Sequence, residues 1–179
     1  MIKERPILFN TEMVQAILQG RKSQTRRICK HFDAPKGGGV KCPYGEVDDI
    51  LWVKETYFKT QDTLTYKASF DENLAKKMPG LKWKPSIFMP KALSRIKLRI
   101  TGVRVERLQD ITEEDCIKEG IRSVVATDKN PYYKDYHYPD VSYWFENAQK
   151  SYQSLWERIN GKKSWEENPF VWVIEFECL

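Results

Sequence analysis

Apolar and polar positions alternate most regularly over residues 94–108, where Ile96, Leu98 and Ile100 are separated by Arg95, Lys97 and Arg99. A period of two predicts a half-buried strand. Beyond Gly102 the apolar positions become Val103 and Val105, an odd offset from Ile100 that moves them to the other face. The expectation is a bulge or a sharp corner at Gly102. The same alternation returns over 170–179, where Phe170, Trp172, Ile174, Phe176 and Cys178 interleave with Val171, Val173, Glu175 and Glu177. Residues 50–58, rich in aromatic and β-branched side chains, predict a third strand, with shorter ones at 6–9 and 63–68. Long, bent, alternating strands of this kind predict a small β-barrel.

The period lengthens to that of a helix in three places. Met13, Val14, Ile17 and Leu18 share one face of a short helix capped by Asn10 or Thr11 and stopped at Gly20. Thr112 caps a second, with acids in its first turn and Gly120 just past its end. The longest spans 142–159 on Phe145, Ala148, Tyr152, Leu155, Trp156 and Ile159, and Asn160-Gly161 closes it. Between these elements, 35–39 reads as a glycine-rich loop. Residues 71–90 read as a proline-rich loop able to act as a lid, and 122–141 as a polar, tyrosine-rich insertion. The fold class is therefore α+β, a small barrel with flanking helices, in one domain over residues 1–179 with insertions at about 70–90 and 122–141.

Charge changes this picture only locally. Thirty basic against 25 acidic residues leave +5, too small a surplus to imply a polyanionic partner by itself. Yet Gly20-Arg21-Lys22-Ser23-Gln24-Thr25-Arg26-Arg27 packs four cations into eight residues, and no carboxylate occurs between Glu12 and Asp33. Such a stretch predicts a basic turn that attracts anions, phosphate above all. The four cysteines are widely spaced and no apolar leader precedes them, which predicts a cytoplasmic protein with reduced thiols. Cys29, His31 and Cys42 lack a CxxC pair and any fourth ligand nearer than His137, so no metal site and no cofactor are expected. No apolar run approaches the roughly 20 residues of a membrane span, so no membrane partner is expected.

The order of these signals resembles a known family. A short helix, the turn Gly20-Arg21-Lys22-x-x-Thr25-x-Arg27, a strand opening Leu51-Trp52-Val53, the run Leu108-x-x-Ile111-Thr112-Glu113-x-x-x-x-Lys118-Glu119-Gly120 and a closing Val173-Ile174-Glu175-Phe176 strand are similar to the ASCH family, of phage and prophage type. The resemblance implies a PUA-like barrel that binds RNA or a modified nucleoside. Within the family, the pattern around Lys22 and the final strand resemble the bacterial N4-acetylcytidine amidohydrolase branch. That resemblance implies Lys22, Thr25 and Glu119 as a catalytic set.

The chemistry of these residue types is consistent with the implied roles. A threonine hydroxyl becomes a nucleophile when a base removes its proton, and a lysine is that base only where burial or neighbouring cations depress its pKa. Arg21, Arg26 and Arg27 supply the cations in this reading, with Arg26 or a main-chain N–H steadying the oxyanion. Lys22 and Thr25 reach one side only if their segment is a turn or helical. In the alternative, a non-catalytic RNA-binding module, Lys22, Arg26 and Arg27 hold phosphates while Trp52, Tyr57 or Trp83 stack on bases, and Glu55 joins the ligand-binding set. A ribonuclease ranks last, because no paired carboxylates or histidines supply its acid and base.

Overall fold

The computed structural model describes residues 2–30, 41–71, 80–125, 131–138 and 143–179. The expected loop at 35–39, His31 and parts of both expected insertions lie outside them.

A five-stranded sheet carries the fold. Its strands are β1 (Glu4–Leu8), β2 (Gln24–Ile28), β3 (Ile50–Lys54), β6 (Lys97–Arg107) and β10 (Phe170–Cys178), in the order β1-β3-β6-β10-β2. β1 and β3 run parallel; the other neighbours are antiparallel. β4 (Tyr57–Lys59) and β5 (Leu64–Tyr66) form a separate hairpin. A three-stranded sheet joins β7 (Ser123–Val125), β8 (Pro131–Lys134) and β9 (Trp144–Phe145). The helices are α1 (Thr11–Leu18), α2 (Glu113–Lys118) and α3 (Ala148–Asn160). The class is thus mixed α+β. The large sheet keeps two edges, β1 and β2, and no pairing among the described residues joins them, so the closed barrel expected from the alternation is not confirmed.

The two long alternating segments form the centre of the sheet. β6 and β10 pair along nearly their whole length, and the register slips where Glu175 faces Gly102 while Phe176 faces Ile100. Thr101 is the extra residue on β6, so the change of face expected at Gly102 is a bulge one residue earlier. β10, flanked by β6 and β2, is buried at every position from Val171 to Ile174.

Three segments depart from the sequence reading. Residues 50–58 break into β3 and β4, because Glu55 turns inward, 1% exposed, to meet Arg95 through Nε at 2.8 Å and Nη2 at 2.9 Å. The tyrosine-rich insertion is partly core: Tyr133 and Tyr136 are buried, and the Tyr136 hydroxyl accepts from the Arg122 main chain at 2.8 Å. The third helix starts later than expected, at Ala148, because β9 takes Trp144 and Phe145 and the Asn147 side chain caps the Lys150 N–H.

Candidate functional site

The basic stretch after α1 is an edge strand rather than a turn. Thr25, Arg26 and Arg27 pair with Ile174, Val173 and Trp172 of β10. Lys22, just before β2, forms an isolated antiparallel bridge with Glu119 at the end of α2. The main chain changes partner between Lys22 and Thr25, and both side chains line one cavity although three residues separate them. Gly20 and Gly120, at φ +70° and +86°, make the two reversals that bring these segments together.

The cavity, of about 420 Å³, opens between the start of β2, the 3-10 turn beginning at Ser86, and α3. Lys22, Thr25, Arg26 and Glu119 line it together with the apolar Phe9, Met13 and Leu155. Lys22 Nζ donates at 2.8 Å to both Glu119 Oε2 and the Glu119 carbonyl oxygen, and its side chain is 1% exposed. Burial pushes the Lys22 ammonium below the ordinary lysine range, further than the Glu119 carboxylate holds it up; Arg27 and Arg26 push the same way. The Thr25 hydroxyl, on a residue 4% exposed, makes no hydrogen bond to any described residue.

Arg26 lines the same cavity and is held there by carboxylates. Its guanidinium donates to Glu106, to Asp115 Oδ2 at 2.8 Å and to Glu119 Oε1 at 3.2 Å. Arg104 closes the cluster from the other side, on Glu106 at 3.0 Å, Asp115 at 2.7 Å and Glu175. Burial disfavours the charge on Arg26, yet Glu119 and the other carboxylates outweigh it and raise its pKa. Asp115 lies below its ordinary range for the complementary reason: burial would raise it, but the hydrogen bond and charge of Arg26 prevail. Arg26 is therefore a strut between α2 and the sheet whose charge three carboxylates neutralise.

The remaining expected residues divide around the cavity. Arg27 lines it, stacked 5.1 Å over Phe9, with Nη2 donating to the Leu8 carbonyl at 2.7 Å and no carboxylate partner among the described residues. Arg21 lies outside it, tied to Gln19 and to the Gly120 carbonyl. Trp52 sits on β3 beneath Lys54, and Glu55 is bound to Arg95; neither lines the cavity. Trp83, half-buried, meets Phe58 and Phe70 edge to face and does not line the cavity, although Pro85 and Ser86 of the same segment do. Tyr57 is buried and also stands clear. Among the described residues no group of His, Cys, Asp and Glu could hold a metal ion, and no helix is long and apolar enough to cross a membrane.

The sequence reading did not assign the α3 wall to the site. Tyr152 and Trp156, four apart on one helix face, both line the cavity, and Trp156 Nε1 and Arg27 Nε are buried beside it without a partner. Their helical spacing was legible, but it is equally the spacing of a core face.

No family model matches the chain, and no curated protein matches it. Among solved structures, the crystal structure of the ASCH domain from Lactobacillus crispatus JV V101 is similar over 98% of this chain and 79% of its own, with 13% identity and a TM-score of 0.43. That likeness assigns no role to any residue of the cavity.

Proposed function

We propose that this chain is an ASCH-type hydrolase that removes the acyl group from an N4-acylated cytosine nucleoside. The observation that carries the reading is the convergence of Lys22, Thr25 and Glu119 on one cavity, with the lysine buried, depressed in pKa and held by the carboxylate, and the threonine hydroxyl unengaged. A cavity of about 420 Å³ with a mixed apolar and polar lining suits a small ligand.

In this reading neutral Lys22 takes the proton of Thr25 Oγ1 as that oxygen attacks the amide carbonyl carbon. The carbonyl π pair moves onto oxygen. When the intermediate collapses, the C–N4 bond breaks and the departing nitrogen receives the proton from Lys22. Water, deprotonated by the same amine, then hydrolyses the Thr25 ester and releases the carboxylic acid. Glu119 orients the amine throughout and is a positioning residue. Incubating the purified protein with N4-acetylcytidine and following cytidine by chromatography tests the activity. No release at enzyme concentrations sufficient for a known amidohydrolase removes the reading.

A second reading, nucleoside or RNA binding without turnover, is favoured by Arg27, the cavity cation with no carboxylate partner among the described residues. It requires binding of single-stranded RNA to weaken with salt, by a slope of about −0.7 per phosphate neutralised. Binding that is indifferent to salt removes it.

A further inference from the structure

Four tyrosines are buried among the described residues, and three of them have their hydroxyls paired inside the protein. Tyr57 donates to the Phe88 carbonyl at 3.3 Å, Tyr133 to Glu113 at 3.1 Å, and Tyr136 accepts from the Arg122 main chain at 2.8 Å. Tyr152 has no such partner, although only 3% of it is exposed. A buried polar group left unpaired is destabilising, so each case calls for a reason.

The surroundings of Tyr152 supply one. Its ring is clamped by Trp156 at 6.3 Å and Trp165 at 6.2 Å between centroids, and the Arg26 guanidinium lies 5.9 Å over it. Arg26 is itself fixed by three carboxylates, so the ring has little freedom to turn away. Trp156 Nε1, one turn along α3, is sealed from solvent, whereas the Tyr152 hydroxyl, equally unpaired, is not among the sealed atoms. The free surface its ring lines is that of the cavity holding Lys22, Thr25 and Glu119. Burial, then the Glu119 carboxylate, raise the phenol well above its ordinary pKa, so it keeps its proton at any working pH.

The proposed reaction still lacks a side-chain oxyanion donor. Arg26, named from the sequence beside a main-chain N–H, is held by three carboxylates, and Lys22 is engaged with Glu119. We infer that the Tyr152 hydroxyl is a catalytic residue of this site, donating a hydrogen bond to the acyl carbonyl oxygen and to the oxyanion that forms when Thr25 adds. This rests on the hydrolase reading. The phenol gives up no proton: as the Thr25 Oγ1–carbon bond forms, the π pair settles on the carbonyl oxygen and the O–H···O contact shortens. On collapse the pair returns and the C–N4 bond breaks. The donor is preorganised, so the bond is stronger in the transition state than in the ground state, as differential stabilisation requires.

The test uses Tyr152→Phe, which removes one oxygen atom that no internal bond holds. With N4-acetylcytidine, kcat is expected to fall about 100-fold or more, the cost of losing one oxyanion donor, with KM raised no more than about fivefold over the parent. The melting temperature should stay at or above the parent's. An unchanged kcat in an active parent overturns the assignment and leaves the hydrolase reading standing, and a melting temperature lowered by many degrees overturns it too, because the hydroxyl then serves the fold. Affinity gives an arm independent of turnover. N4-acetylcytidine binding is compared by calorimetry in Thr25→Val and in Thr25→Val/Tyr152→Phe, where a loss of about fivefold in the double variant is the signature of a lost hydrogen bond. If the parent shows no turnover, the hydrolase reading falls, and equal affinities in the two variants then overturn the contact as well.

Discussion

Lys22 and Glu119 are joined through both main chain and side chain: their backbones pair in an isolated bridge, and Lys22 Nζ donates to the Glu119 carbonyl and carboxylate at 2.8 Å each. A buried amine held in this way has one protonation equilibrium that matters for the proposed reaction. Burial, Arg27 and Arg26 lower its pKa while Glu119 raises it, and the lowering prevails. As the base must be neutral, kcat/KM should rise with pH through a limb that lies below the ordinary lysine value of about 10.4. Glu119→Gln removes the group that holds the pKa up, so any residual activity should show that limb at lower pH. Lys22→Arg, protonated throughout, should be inactive across the profile. A limb that moves upward in Glu119→Gln contradicts the base assignment.

Thr25→Val keeps the β-branched shape that suits β2 and removes a hydroxyl that makes no hydrogen bond to any described residue. Stability by chemical denaturation should therefore change by less than about 0.5 kcal/mol. Turnover should fall by several orders of magnitude, with affinity for N4-acetylcytidine within a few-fold. If the variant reacts like the parent, the nucleophile lies elsewhere.

What the sequence revealed of this site, and what it concealed, follows from range. Period-two and period-3.6 patterns are local, so β6, β10, α1 and the buried face of α3 were legible from residues a few positions apart. Lys22, Thr25 and Glu119 could be named through resemblance, although nothing local brings positions 22 and 119 together. The basic stretch was misleading for the same reason. It has no carboxylate near it in sequence, yet Glu106, Asp115 and Glu119 arrive from β6 and α2 and neutralise Arg26. At Gly102 the alternation predicts a bulge or a sharp corner. Gly102 lies beside the extra residue Thr101, its φ is not positive, and an added Cβ would come nearest the flexible end of the Glu175 side chain, Oε2 at 2.8 Å.

The neutralising cluster should set the acid limit of the fold. The folded-state pKa of Asp115 is depressed because Arg26 and Arg104 outweigh the effect of burial. Its contribution to stability is therefore complete above its unfolded value of about 3.9 and lost as pH falls through the lower folded value. Denaturation midpoints measured from pH 6 down to pH 2 should fall steeply below pH 4 in the parent. Asp115→Asn should be less stable at pH 6, because Arg26 and Arg104 lose a charged partner, and its decline below pH 4 should be shallower. Parallel declines in the two proteins would place the acid sensitivity in other carboxylates.

Gly120 holds the geometry of the site from behind. Its φ of +86° is one that L side chains rarely adopt, and a Cβ there would lie 2.8 Å from Lys22 Cβ and 3.0 Å from Ala16 Cβ. Gly120→Ala thus combines backbone strain with pressure on the residue that must reach Glu119, at a cost of about 1–3 kcal/mol. Gly161 separates the two effects. It also has a positive φ, +101°, but nothing lies within 4 Å of its added Cβ, so Gly161→Ala should incur the strain alone. Under the hydrolase reading, both variants should melt below the parent, while only Gly120→Ala should lose activity at a temperature where it is fully folded, because the displaced Lys22 no longer meets Glu119 and Thr25 together. Equal activity per folded molecule in the two variants would mean that the close packing of Gly120 on Lys22 serves stability and not the site.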